Sequence, residues 1–208
     1  MLDRLAAMAV TGFARVVTGV QSEWRGCVPD PRPRVYYANH VSHGDFVLVW
    51  TVLPPSLRKR VRPVAAADYW SKTPARRFLI KRVFNGVLIE RGTSAGRADP
   101  IGRMTEALDA GQSLIIFPEG TRNTGEERLL AFKSGLDHLA RARPDAEYVP
   151  VWVSNLNRVM PKGEFLPVPL LCSVIFGEPQ RPMEGDARGA FTERARNALL
   201  ALAPEDRK

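Results

Sequence analysis

Cysteine is scarce in this chain of 208 residues: Cys27 and Cys172 stand alone, and no CxxC pair exists. A disulfide framework and a thiolate zinc cluster are thereby set aside, and both thiols read as unpaired in a reducing compartment. Long hydrophobic runs are also missing. Asp3, Arg4 and Arg15 interrupt the first stretch, short of the ~20 apolar residues of a bilayer span. No long apolar core leads to a small-residue cleavage site, so no secretory signal is expected. The G-x-S-x-G of serine hydrolases is absent, and so are internal repeats and low-complexity tracts. With 45% hydrophobic and 25% charged residues, the chain reads as globular, one domain with a terminal appendage.

Acidic residues are sparse in the first half. Residues 1–104 hold 17 Lys and Arg against 7 Asp and Glu, whereas residues 105–208 hold 13 against 15. The segment 57–82, LRKRVRPVAAADYWSKTPARRFLIKR, has nine basic residues against Asp68 alone. Such a patch suits an anionic partner, a nucleic acid, an anionic lipid surface or an acidic protein, or else is a solvated face. Its few aromatics (Tyr69, Trp70, Phe78) and the lack of a nucleic-acid motif argue against nucleic acid.

Stepping 100° per residue along residues 2–20, Leu2, Leu5, Ala6, Ala9, Phe13, Val16, Val17 and Val20 share one face. Arg4, Thr11, Arg15 and Thr18 share the other. Residues 1–26 are therefore expected to form an amphipathic helical element. It either docks on a membrane surface or packs its apolar face on the domain.

CVPDPRPR (27–34) reads as a linker into a main domain over 27–208. Strands are expected at 35–38, 61–67, 86–90, 113–117, 147–153 and 170–176. Helices are expected at 45–53, 74–84, 99–111, 133–143 and 187–202. Pro150 inside EYVPVWV marks that strand as an edge or a bulge. The alternation predicts an α/β fold: a single layered domain whose central mixed, partly parallel sheet is flanked by helices. Each polar cluster follows a strand, where sites of such sheets gather.

The first cluster is NHVSHGD (39–45). If the loop enters a helix near Asp45, the carboxylate can fold back onto the His40 imidazole. It would fix the tautomer and leave the other ring nitrogen as a general base. Asn39 and Ser42 can hold the turn. Two other readings fit the same residues: Asp45 as a helix N-cap, and His40, His43 and Asp45 as an incomplete metal set. The second cluster is FPEGTRN (117–123). Gly120 and Thr121 offer backbone N–H groups and a hydroxyl, and Arg122 a planar fork suited to phosphate. Glu119 is unsuited to an anion and can instead bond an arginine or a loop amide. Arg91 in GVLIERG and Lys133 in FKSG are further candidate anion contacts.

In this order the blocks resemble the glycerolipid acyltransferase family of the 1-acylglycerol-3-phosphate acyltransferase (PlsC) type. NHVSHGD looks like its first block, GVLIERG its second, FPEGTRN its third and VPVWV its fourth, over residues 35–155. Asn123 stands where serine is common, and Glu90 where aspartate is common. The resemblance implies that His40 is a general base oriented by Asp45. It implies that Gly120, Thr121 and Arg122 bind the acceptor's phosphate with help from Arg91, Glu119 shaping that pocket; Lys133 stays a candidate read from FKSG itself. The resemblance implies no metal and no cofactor. The co-substrate would be acyl-CoA or acyl carrier protein, and the acceptor a lysophospholipid, most simply lysophosphatidic acid. Other lysolipids, glycerol 3-phosphate, or an inactive lipid-binding protein are the alternatives. The expected setting is peripheral, at an anionic membrane surface on the cytoplasmic side of the inner membrane.

Overall fold

The computed structural model describes residues 2–42, 44–90, 99–154 and 171–204. Helix α1 (Leu2–Thr18) leads into strand β1 (Gln21–Trp24), then β2 (Arg34–Ala38), α2 (Asp45–Val52) and a short α3 (Pro55–Arg58). Strand β3 (Val61–Ala66) runs straight into α4 (Ala67–Trp70). Next come α5 (Pro74–Phe78), a π-helical turn (Leu79–Val83) and β4 (Val87–Ile89). The remainder is α6 (Pro100–Asp109), β5 (Ser113–Ile116), α7 (Gly135–Ala142), β6 (Glu147–Ser154), β7 (Ser173–Phe176) and α8 (Ala190–Leu200).

One sheet orders these strands β1-β7-β6-β2-β5-β3-β4. Every pair is parallel except β6–β7, which is antiparallel. The expected mixed, partly parallel α/β architecture is what the chain forms. β2 lies at the centre with all five residues buried. Its two inward rows serve opposite faces, as strand alternation requires. Tyr36 and Ala38 join α2, the π-helical turn and α1 in one core, while Val35 and Tyr37 join α6, α7 and α8 in the other. Buried Arg34 fixes the start of this strand: its guanidinium meets Glu147 at 2.8 Å and its amide donates to Ser113 Oγ.

One expectation changes and two alternatives are narrowed. Pro150 is not at an edge, because β6 lies between β7 and β2. A residue's N–H and C=O point to the same neighbour. The Pro150 carbonyl accepts from Gly177 at 2.9 Å, beyond the end of β7, so the missing N–H leaves the β2 ladder intact. Gly177 permits this approach, since a Cβ there would lie 2.9 Å from the proline ring.

Of the two expectations for the N-terminal helix, the apolar face packed on the domain is not what forms. The helix packs on α2 and the π-helical turn through Thr11, Ala14 and Thr18, the last 5% exposed. Leu2, Leu5, Met8, Phe13 and Val16 face outward, Val16 at 84%. The threonine hydroxyls bond the carbonyls four residues back, at 2.7 and 2.6 Å, which satisfies them on a buried face. Small side chains there allow close packing. Arg4 and Arg15 share the exposed side. Residues 21–24, grouped in the sequence reading with this helix, are an edge strand paired with β7.

The basic segment is not uniform. Arg58 donates to the Thr51 and Leu53 carbonyls and to Thr11 Oγ1, closing α2 and tying down α1. Arg62 donates to the Asn85 carbonyl and to Gln112. Burial lowers the pKa of both guanidinium groups. These two belong to the framework, not to a surface patch.

Candidate active site

The loops that follow β2 and β5 and the helical segment that follows β3 leave adjacent strands and border one cavity of about 480 Å³. His40 stands in its wall, stacked on Phe117 at 4.3 Å. Its Nδ1 lies 2.8 Å from Asp45 Oδ2. Asp45, wholly buried, is the first residue of α2. It does not cap that helix, whose N-cap is Gly44 without a side-chain bond. Instead the same oxygen accepts the amides of Val41 (2.7 Å) and Ser42 (2.8 Å). The carboxylate thus closes the turn on itself and engages one imidazole nitrogen, leaving Nε2 for a substrate.

Gly120, Thr121, Arg122 and Lys133 line the same cavity. Gly120 has φ +69°, a conformation suited to glycine, and a Cβ there would sit 3.1 Å from the Lys133 chain. The Lys133 amide donates to the Pro118 carbonyl at 2.7 Å, which brings that lysine beside the turn. Four residues named from sequence therefore share one wall with His40. The rest of the lining is largely apolar and straddles the sheet. Phe46, Ala65, Trp70 and Phe117 come from the α1–α2 side, and Val64, Ile89, Met104, Ile116 and Leu136 from the α6–α7 side. A long hydrocarbon chain and an anionic head group fit such a lining.

The acyltransferase family model matches residues 21–154. That stretch holds the His40–Asp45 turn, the Gly120–Arg122 turn and Lys133. The chain belongs to the acyltransferase family. Among curated relatives, a 1-acyl-sn-glycerol-3-phosphate acyltransferase of Limnanthes alba is 28% identical over 176 residues, 81% of this chain and 58% of that one. One from Helicobacter pylori is 41% identical over 54 residues, 26% of this chain and 23% of that one. The chain thus spans under two thirds of the length of these relatives. The crystal structure of the 1-acyl-sn-glycerophosphate (LPA) acyltransferase PlsC from Thermotoga maritima has the same fold. Its TM-score is 0.69 at 23% identity, covering 99% of this chain and 83% of that one.

In this acyltransferase chain Glu119 takes a place other than substrate contact. It is 1% exposed and is not part of the cavity lining. Oε1 accepts the His40 amide at 2.6 Å and Oε2 the Leu130 amide at 3.0 Å. Burial pushes its carboxyl above the ordinary carboxylate value, against the pull of those two amides. Arg91 and His43 lie outside the described residues. Among the described residues no three His, Cys, Asp or Glu side chains gather as a metal-binding group.

Two residues have more part in the site than sequence reasoning gave them. Asn39 donates to the Val153 carbonyl (3.0 Å) and accepts its amide (2.7 Å), so a side chain prolongs the β2–β6 pairing up to His40. Asn123 donates its amide to the His40 carbonyl at 2.6 Å, while its side chain ties the loop to Gly125 and Glu127. Cys27 and Cys172 are free thiols. Burial pushes the Cys172 thiol up to about 11, which makes it a poor nucleophile.

Proposed function

We propose that this protein transfers an acyl group from an acyl thioester to the free hydroxyl of lysophosphatidic acid, giving phosphatidic acid. The observation that carries the reading is the His40 Nδ1–Asp45 bond of 2.8 Å beside a cavity that also holds Gly120, Thr121, Arg122 and Lys133. His40 Nε2 takes the hydroxyl proton as the oxygen attacks the thioester carbonyl. Asp45 stabilises the imidazolium, and the departing thiolate takes that proton back. A placed base contributes ~10²–10⁴-fold. Holding both substrates in one cavity supplies much of the remaining acceleration. Arg122 and Lys133 bind the acceptor's phosphate, beside the reacting hydroxyl.

The reaction runs at an anionic membrane surface on the cytoplasmic side, with the protein peripheral. Supporting this, Leu2, Leu5, Met8, Phe13 and Val16 project outward from α1. Exposed Lys81 and Arg82 lie on the element packed beneath that helix, and Arg82 reaches Asp3 at 3.7 Å. Among the described residues no helix is long and apolar enough to cross a membrane.

The test is acyl transfer from labelled acyl-CoA, and in parallel from acyl carrier protein, to lysophosphatidic acid in vesicles. Wild type should form phosphatidic acid, and folded His40→Ala should not. Acylation of other lysolipids only would overturn the acceptor, and no transfer from either donor would overturn the reaction.

A further inference from the structure

A second cationic group borders the cavity from a different strand. His40 follows β2, the Gly120–Arg122 turn follows β5, and Asp68, Tyr69 and Lys72 follow β3. The strands lie side by side in the order β2-β5-β3. At about 4.8 Å between neighbours, the β5 turn is rooted roughly 5 Å from the His40 loop and α4 roughly 10 Å away. Arg76 extends this outer rim: its guanidinium stacks 4.2 Å over the Tyr69 ring. Thr73 caps α5 by accepting the Arg76 amide at 3.2 Å. Arg76 thereby rests against Tyr69, which lines the cavity together with Lys72.

The proposed reaction brings two phosphates of different tether length. The acceptor's phosphate sits on the carbon next to the one that bears the hydroxyl. The donor's phosphate sits at the far end of the pantetheine arm from the thioester. The near cations suit the short tether and the outer ones suit the long tether. We infer that Lys72 and Arg76 form the subsite for the phosphate of the donor's phosphopantetheine arm, the group shared by acyl-CoA and acyl carrier protein. Asp68, in the same part of the lining, opposes that phosphate and moderates its hold. The assignment rests on the acyl-transfer reading above.

The experiment compares wild type, K72A/R76A and D68N with acyl-CoA, acyl carrier protein and an acyl-N-acetylcysteamine thioester, which lacks the phosphate. K72A/R76A should raise the KM for acyl-CoA, acyl carrier protein or both by roughly 10- to 100-fold. The donor that responds identifies the source of the arm. The KM for the truncated thioester and for lysophosphatidic acid should hold, and D68N should lower the donor KM. An equal rise with the truncated donor, a rise in acceptor KM instead, or no change overturns the subsite. Calorimetry with coenzyme A alone separates this from the reaction itself. If no acceptor is acylated, weaker coenzyme A binding by K72A/R76A than by wild type still supports the subsite. Equal binding removes it, and where wild type binds no coenzyme A the same comparison with phosphopantetheinylated carrier protein decides in the same way.

Discussion

The His40 main-chain amide donates to Glu119 Oε1 at 2.6 Å across 79 residues of sequence. The His40 carbonyl is held from the other side by the Asn123 amide. The backbone of the candidate base is therefore clamped by the FPEGTRN turn, whose Gly120–Arg122 portion faces the cavity.

Glu119→Gln should act through this clamp. A glutamine presents an amide N–H₂ to one of two amide donors. Leaving a buried donor unpaired costs ~1–3 kcal/mol, and a small displacement of His40 costs on the order of 10²-fold in rate. The expected outcome is a lower kcat with every acceptor, little change in acceptor KM and a lower melting temperature. A selective rise in acceptor KM would instead return Glu119 to the phosphate pocket.

Asp45→Asn should lower kcat by ~10²–10⁴-fold and also reduce stability, because the same oxygen serves the Val41 and Ser42 amides. His40→Ala should lose comparable activity and keep its fold. Steady-state kinetics beside thermal unfolding separates the two variants.

Arg122→Ala and Lys133→Ala should each raise the KM for lysophosphatidic acid by about 10-fold or more, the worth of a charge-assisted hydrogen bond. Donor KM should stay level. Equal losses for an acceptor without phosphate would sink the assignment.

The outward face of α1 can be tested apart from its inward face. Leu5→Asp with Phe13→Asp should abolish sedimentation with anionic vesicles and leave the melting temperature nearly unchanged. Ala14→Leu should overpack the buried face at ~1–3 kcal/mol and lower the melting temperature. Vesicle binding by the wild type should weaken with salt.

Acid should weaken the fold at identifiable carboxylates. Hydrogen bonds from Arg194 hold Asp186 down to about 2, and those from Arg32 hold Asp30 down to about 2, from the ordinary 3.8. A depressed folded pKa means stability present above 3.8 and lost as pH falls toward 2. Urea unfolding between pH 5 and pH 2 should show that loss, and Asp186→Asn should remove its share.

The elements bearing the site were legible because their signals are local. The strand into NHVSHGD, the helix from Asp45 and the apolar SLIIF strand all announce themselves by pattern, and the His40–Asp45 contact follows from one turn of chain. What was not legible depends on distant neighbours. Pro150 sits mid-sheet because its missing donor faces the end of another strand. Arg58 and Arg62 look like surface charge until their carbonyl partners, on other elements, are known. The sequence left open whether the apolar face of α1 packs on the domain, because only the fold shows which side meets α2 and the π-helical turn. That Glu119 holds a loop amide was among the readings of the sequence, but which two amides it holds, those of His40 and Leu130, only the fold shows.

The central place of β2 bears on when the site comes into being. Its neighbours β5 and β6 lie far downstream in the chain, as do Glu119, Asn123 and Val153, which fix the His40 loop. A chain emerging from the ribosome carries His40 and Asp45 early. It has no sheet to seat them and no clamp to aim the imidazole until residue 153 has followed. The geometry around His40 is thus completed late, once the chain through Val153 is in place.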